Sequence, residues 1–246
     1  MFELTLSTTI DKQMYLGELF SKVSSEIKQD EGIIVKQNNN GRAYLALAVD
    51  DCKKDYYKSK ILDYILFMIV DDYKYNFYKE TLCLSSNSVI FEAFLKALSI
   101  FDAENDKDII RSQIQLSGEI LIDSFFYFKL QLLRARWERT ANIICQNNIL
   151  QTTSSMLDIL RYLTAVSDNE IVLADISFGK KQITIKNYEG IKRYKNTFEG
   201  LSDFLAEIVK LNPTKINLKN TTQCEEFGDV KSMLTHIFGD KIYLTK

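Results

Sequence analysis

Three adjacent carboxylate pairs, Asp50/Asp51, Asp71/Asp72 and Glu225/Glu226, are the side chains whose type best suits acid–base work. General acid–base catalysis needs two groups converging on one reacting centre. Neighbours on a helix point about 100° apart, whereas positions i and i+4 share a face. The pairs therefore read as helix-end or solvated-turn residues. His236 is the only histidine, so any Ser–His or Cys–His couple must use it. It sits beside Leu234 and Ile237 and is expected to be a structural or surface side chain. Cys52, Cys83, Cys145 and Cys224 form no CxxC, so neither a zinc site nor a disulfide framework is signalled. They are expected as buried apolar residues. Neither the GxGxxG nor the GxxxxGK(S/T) phosphate loop occurs, and no GxSxG elbow is present. No cofactor or metal site is expected.

The segment "SFFYFKLQLLRARWERT", Ser124 to Thr140, carries the one remaining chemical pattern. Arg134, Arg136 and Arg139, with Arg161 further on, offer a local basic groove for phosphate or RNA, and Lys129 and Trp137 join them in a candidate interaction surface. Trp137, the sole tryptophan, is placed to stack on a base. Glu119, Asp123 and Glu138 dilute that charge. The alternative is a long helix from Ser124 to Ile144. It would set Phe125, Phe126, Lys129, Leu133, Arg136, Trp137, Thr140 and Ile144 roughly along one side. On that reading the aromatics are buried and the arginines partly exposed, the usual fate of an aromatic stripe at helical spacing.

The elements that must hold these residues follow from periodicity. "FELTLST" alternates as a half-buried strand, and Leu16, Leu19, Phe20, Val23 and Ile27 recur at helical spacing. "GIIVKQ" and "AYLALAVD", separated by "NNNGR", read as a hairpin, giving β-α-β-β over the first fifty residues. From about Tyr56 to Val166 the pattern is helical, with "SNS" before Val89 supplying cap candidates. "FDAENDKD" is a polar break with a helix restarting near Ile109. It sets the expected boundary between an N-terminal region, 1–105, and a C-terminal region, 106–246. "IVLADISF" and "KQITIKNY" alternate around "GKK", and the C-terminal part reads β-β-α-β-α-β. Its first helix ends at Asn212 and Pro213. The expected fold class is α+β, a helical middle with small mixed sheets contributed by the N- and C-terminal parts.

Composition bounds the rest. The chain has 246 residues, 46% hydrophobic and 26% charged, with net charge −2, so overall charge gives no attraction to nucleic acid or anionic lipid. The start has no basic region followed by an apolar core, so no signal peptide is expected. The most apolar run, "ILDYILFMIV", is roughly half the ~20 residues that a membrane span needs.

Four segments carry a family resemblance: "FFYFKLQLL" at 125–133, "LDILRYLTAVSDNEIVLADISF" at 157–178, "LSDFLAEIVKLNPTKINLKN" at 201–220 and "VKSMLTHIFGDKIYL" at 230–244. Their order and spacing resemble the YtxC-like sporulation proteins of endospore-forming bacteria. Lys129 stands where the family more often has arginine, and Leu160-Arg161-Tyr162-Leu163 stands for its "LLxYF" segment. The first half matches only in general layout. The shared motifs bear fold rather than catalysis, so no site residue follows from them. The resemblance implies a cytoplasmic bacterial protein tied to sporulation. With the missing catalytic motifs, it leads to the expectation of a non-catalytic protein acting through a protein partner. The alternatives are nucleic-acid binding through the Arg134–Arg139 region and an enzyme of unrecognised type.

Overall fold

The structure, a computed structural model, describes residues 1–28, 31–82, 88–166, 172–220 and 227–244. Cys83, Ser86, Asn87, Cys224 and the Glu225/Glu226 pair lie outside the described residues. The fold is α+β, with separate mixed sheets of four and five strands. The chain divides into two compact units: Met1–Asn76 with Asp102–Arg139, and Phe77–Phe101 with Thr140–Lys246. The boundary expected at 105/106 falls inside a helix, α5 (Ala103–Gln113). Of "FDAENDKD", Phe101 and Asp102 form the break, Asp102 at φ 60°, and the helix restarts at Ala103 rather than near Ile109; Asp106 within it turns inward, only 2% exposed.

In the first unit, β1 (Phe2–Thr9), α1 (Gln13–Ser24), β2 (Gly32–Asn39) and β3 (Arg42–Val49) follow the expected β-α-β-β order. β1 and β3 are antiparallel, with Leu4 opposite Leu47 and Leu6 opposite Leu45, all buried. Asn40 and Gly41 both take positive φ, 47° and 73°, the geometry of a two-residue hairpin turn. The apolar run then enters α2 (Lys54–Phe67) and a π-helical segment, Met68–Tyr73, and continues into α3 (Lys74–Thr81). A helix without a polar face is buried, and Ile61, Ile65, Leu66, Met68, Ile69 and Val70 are.

The middle is not wholly helical. After α5, Gly118 at φ 65° turns the chain into β4 (Gly118–Leu121). β4 lies parallel to β1, Leu6 opposite Ile120, and completes the order β2-β3-β1-β4. The single helix expected from Ser124 to Ile144 is two: α6 (Ile122–Lys129) and α7 (Gln131–Gln146). Leu130 between them sits at φ −100° and ψ 31°, outside helical geometry. It is 1% exposed, so tertiary burial sets the break where no proline or glycine signals one.

In the second unit, α4 (Val89–Ile100) starts at Ser88, whose Oγ accepts the Phe91 N–H at 3.0 Å. α8 (Thr153–Val166) buries Met156, Leu157, Leu160, Leu163 and Thr164, as their spacing predicts. The second sheet takes β5 (Leu173–Phe178), β6 (Gln182–Asn187), β7 (Gly190–Lys195), β8 (Lys215–Asn220) and β9 (Ile242–Leu244) in the order β7-β6-β5-β8-β9. β5, β6 and β7 form an antiparallel meander, while β8 runs parallel to β5 and β9 parallel to β8. β7 is the strand that periodicity missed: Ile191, Lys192, Arg193 and Lys195 are all exposed, so its sequence carries no apolar alternation. Between the strands lie α9 (Phe198–Leu211), closed by Asn212 at φ 41° ahead of Pro213, and α10 (Phe227–Phe238). Ala174, Ile176, Phe178, Ile183, Ile185, Ile216 and Leu218 form the buried sheet face. Phe178 meets Phe204 of α9 and Phe227 of α10 edge-on, with centroids 6.0 and 5.1 Å apart.

Candidate functional site

The break at Leu130 decides what the aromatic and basic segment can do. Four side chains anchor it in the first unit: Phe126, Leu130, Leu133 and Trp137, none more than 5% exposed. Phe126 stands edge-on to Tyr73 with centroids 4.9 Å apart and lies 5.8 Å from Trp137. With these anchors inward, their neighbours turn out: Tyr127 is 53% exposed, Phe128 71% and Leu132 82%. Burying such a side chain is worth roughly 1.5–3 kcal/mol, so this elbow leaves a large apolar contribution unused. The expectation that the aromatics are buried therefore holds for Phe126 and Trp137 and fails for Tyr127 and Phe128.

The basic residues separate as well. Lys129 and Arg139 are exposed beside the apolar elbow. The Arg134 guanidinium stacks on Tyr127 at 5.0 Å and on Phe126 at 5.6 Å, and donates to the Tyr127 carbonyl. Arg136 pairs with Asp102 at 2.6 Å. The helical side that was expected to hold Lys129, Leu133, Arg136 and Trp137 together does not form: Leu133 and Trp137 are buried, Lys129 and Arg136 exposed. Arg161 belongs to the second unit. There it lines, with Thr214, Lys241 and Tyr243, a cavity of about 500 Å³.

Trp137 is not a stacking platform. It is 2% exposed, and its Nε1–H donates to Asp106 Oδ2 at 3.0 Å. The same oxygen receives Lys74 Nζ at 2.6 Å, with both side chains almost wholly buried. Burial lowers the Lys74 pKa, and the Asp106 carboxylate opposes that shift. The pair is enclosed, so it holds α5, α7 and the start of α3 together within the unit and offers no path to a substrate.

The densest polar cluster of the first unit surrounds Asp123. Its carboxylate accepts from Tyr73 Oη (2.7 Å), Arg42 (3.0 Å), the Thr9 N–H (3.0 Å) and Thr8 Oγ1 (3.2 Å). Burial foremost pushes the Tyr73 phenol up, so it keeps its proton rather than acting as a base. Asp123 lies in the first turn of α6, where a negative charge is favoured. Fully partnered, it ties the end of β1 to the start of α6 and so fixes the direction of the elbow. Asp72 likewise accepts from Lys12 at 2.6 Å and Asn76 at 2.8 Å.

The remaining candidates are ordinary. His236 Nε2 lies 2.7 Å from Asp158 Oδ1 on a partly exposed surface. Cys52 and Cys145 are exposed, contrary to expectation. Cys52 sits in a turn between Asp51 and Lys53, and Cys145 lies one position past the buried face that ends at Ile144. Among the described residues no three His, Cys, Asp or Glu side chains are grouped as metal ligands, and no helix is long and apolar enough to cross a membrane. Sequence reasoning missed the outward turn of Tyr127, Phe128 and Leu132. The one available signal was that "FFYFKLQLL" holds more apolar residues than a single helix face can bury. No family model, curated protein or solved structure matches this chain.

Proposed function

We propose that this chain is a non-catalytic cytoplasmic protein of endospore formation, acting by binding an acidic partner protein through the α6–α7 elbow. The observation that carries the reading is the exposure of Tyr127, Phe128 and Leu132 within six residues of sequence. An apolar patch surrounded by polar residues is the usual mark of a protein contact. Aromatic anchors flanked by arginine are the residue types that dominate interface energy. Lys129, Arg134 and Arg139 select the partner's charge: an apolar pocket with an acidic rim complements them. A second copy of the chain meeting this surface about a twofold axis would set like charges against each other, which disfavours self-association. The sporulation context and the cytoplasmic location rest on the family resemblance of 125–133, 157–178, 201–220 and 230–244. The nucleic-acid alternative at this helix loses its stacking residue to the core.

The test is a count of heat-resistant spores in an endospore-forming host. A deletion strain should form far fewer than its parent, and the wild-type gene should restore the count. A gene carrying Phe128→Asp and Leu132→Asp, expressed at the same level, should not. Equal counts in parent and deletion strain would remove the sporulation role, and full rescue by the elbow variant would remove the elbow.

A further inference from the structure

Among the described residues the second sheet has one face packed on helices and one face exposed. Lys192 pairs with Glu207 of α9, and Tyr194 meets Phe204 with centroids 6.0 Å apart, so these β7 residues lie on the helix side. Strand side chains alternate faces, so Ile191, Arg193 and Lys195 take the other side. The register carries that side across the sheet: Arg193 lies opposite Thr184, Thr184 opposite Ser177, and Ser177 opposite Lys219. The next row runs from Lys186 through Asp175 and Asn217 to Tyr243, and Leu173 stands opposite Lys215.

This face is strongly basic in a chain of net charge −2. Lys186, Arg193, Lys195, Lys215 and Lys219 are all exposed, and the one acid among the described residues of these strands on this face, Asp175, accepts from Asn217 Nδ2 at 2.7 Å. Four of the five bases form two rails, Arg193 and Lys195 on β7 and Lys215 and Lys219 on β8. The rails stand three strand spacings apart, about 14 Å. Between them the outward side chains are mostly polar, Asp175 and Ser177 with Leu173 on β5 and Gln182, Thr184 and Lys186 on β6, with Asn217 alongside on β8. Tyr243 marks the β9 edge, half-exposed, with Lys215 Nζ 4.6 Å from its ring centroid.

We infer that the open face of this sheet binds single-stranded nucleic acid. Phosphates fit the two rails, while Ser177, Thr184 and Gln182 between them offer hydrogen bonds to sugars and base edges. A sheet surface is a recurring platform for single strands, and an aromatic at its edge supplies a stacking ring. A lipid surface is disfavoured because the outward apolar residues Leu173 and Ile191 stand apart, each beside a lysine, and form no continuous apolar band. This surface is independent of the elbow and goes beyond the protein-binding role proposed above.

The test is fluorescence anisotropy of a labelled 20-nucleotide single strand, as oligothymidylate and as mixed-sequence RNA, with the full chain. Binding is expected at 50 mM salt. Five phosphate contacts give a log–log salt slope of roughly −3.5, a loss of roughly 100-fold by 200 mM. Arg193→Glu with Lys219→Glu, exposed positions whose change should leave circular dichroism and the melting point unaltered, should weaken binding at least tenfold and flatten the slope. Phe128→Asp with Leu132→Asp should bind as the wild type does. No binding at 50 mM salt, unchanged affinity in the charge-reversed variant, or equal competition by polyglutamate or anionic vesicles at matched charge would overturn the inference.

Discussion

Replacing Asp106 by asparagine tests the enclosed pair that organises the first unit. Lys74 and Asp106 lie 2.6 Å apart with side chains 3% and 2% exposed. Two unit charges at that distance attract by roughly 6 kcal/mol at an effective dielectric of about 20, and the desolvation of both ions offsets most of it. Removing only the carboxylate leaves a buried ammonium without that balance, and breaking such a pair costs about 3–5 kcal/mol. Asparagine can still accept the Trp137 N–H, so the loss isolates the charge. The assay is urea unfolding followed by the fluorescence of Trp137, the only tryptophan, which reports this unit alone. The sign with pH follows from Lys74, whose pKa burial already lowers. Without Asp106 it falls further, so the unfolded state binds more protons below the ordinary lysine value, near 10.5. The Asp106→Asn penalty should therefore shrink as pH rises toward that value. The double variant Lys74→Met with Asp106→Leu should cost several kcal/mol less than the sum of its single changes. It still removes the bond from the Trp137 N–H to Asp106, a loss of about 1–3 kcal/mol. An Asp106→Asn cost below about 1 kcal/mol, or no shrinkage with pH, would show that Lys74 and Asp106 do not act as a buried charge pair.

Two further outcomes are expected. Tyr15, Tyr64, Tyr73 and Tyr194 are all pushed up, chiefly by burial, with Asp72, Glu18 and Asp123 adding to the first three and Glu207 to the last. Their stabilising contribution is present below the unfolded tyrosine value, near 10, and is lost as pH rises through the folded values, so unfolding should begin above about pH 10. Ultraviolet titration should show these phenols ionising together with unfolding; early ionisation in the folded state would contradict the burial. Ser88→Ala and Thr197→Ala each remove a helix cap, the accepted N–H of Phe91 at 3.0 Å and of Gly200 at 3.2 Å. Each should cost about 1 kcal/mol in denaturant unfolding, and no change at either would show that water replaces the cap.

The sequence was legible where burial and local periodicity agree. The Asn40–Gly41 turn, the apolar run entering α2, the face of α8 and the end of α9 at Asn212 all follow from patterns of a few residues. It was illegible where the deciding partner is remote. Asp106 looks like a loop residue until Lys74 and Trp137 are placed around it. Leu130 looks helical until its burial is known, and β4 is a four-residue strand that exists only because β1 lies beside it. The candidate site inherits this limit. Lys129, Arg134, Arg136 and Arg139 were identifiable as a basic segment, yet which of them meet solvent depends on the break at Leu130. Arg161, grouped with them by charge, belongs to the other unit.

The central claim, that the elbow docks an acidic protein, is tested most directly by a photo-crosslinking residue placed at Phe128 and, as a control, at the exposed Tyr188. In sporulating cells one discrete adduct is expected from position 128, none of that mass from 188, and loss of the adduct when Lys129 and Arg139 are changed to glutamate. Mass spectrometry should identify an adduct protein with an acidic surface. An adduct made only with a second copy of the chain, the same adduct from position 188, or none from 128 would show that the elbow does not dock an acidic protein.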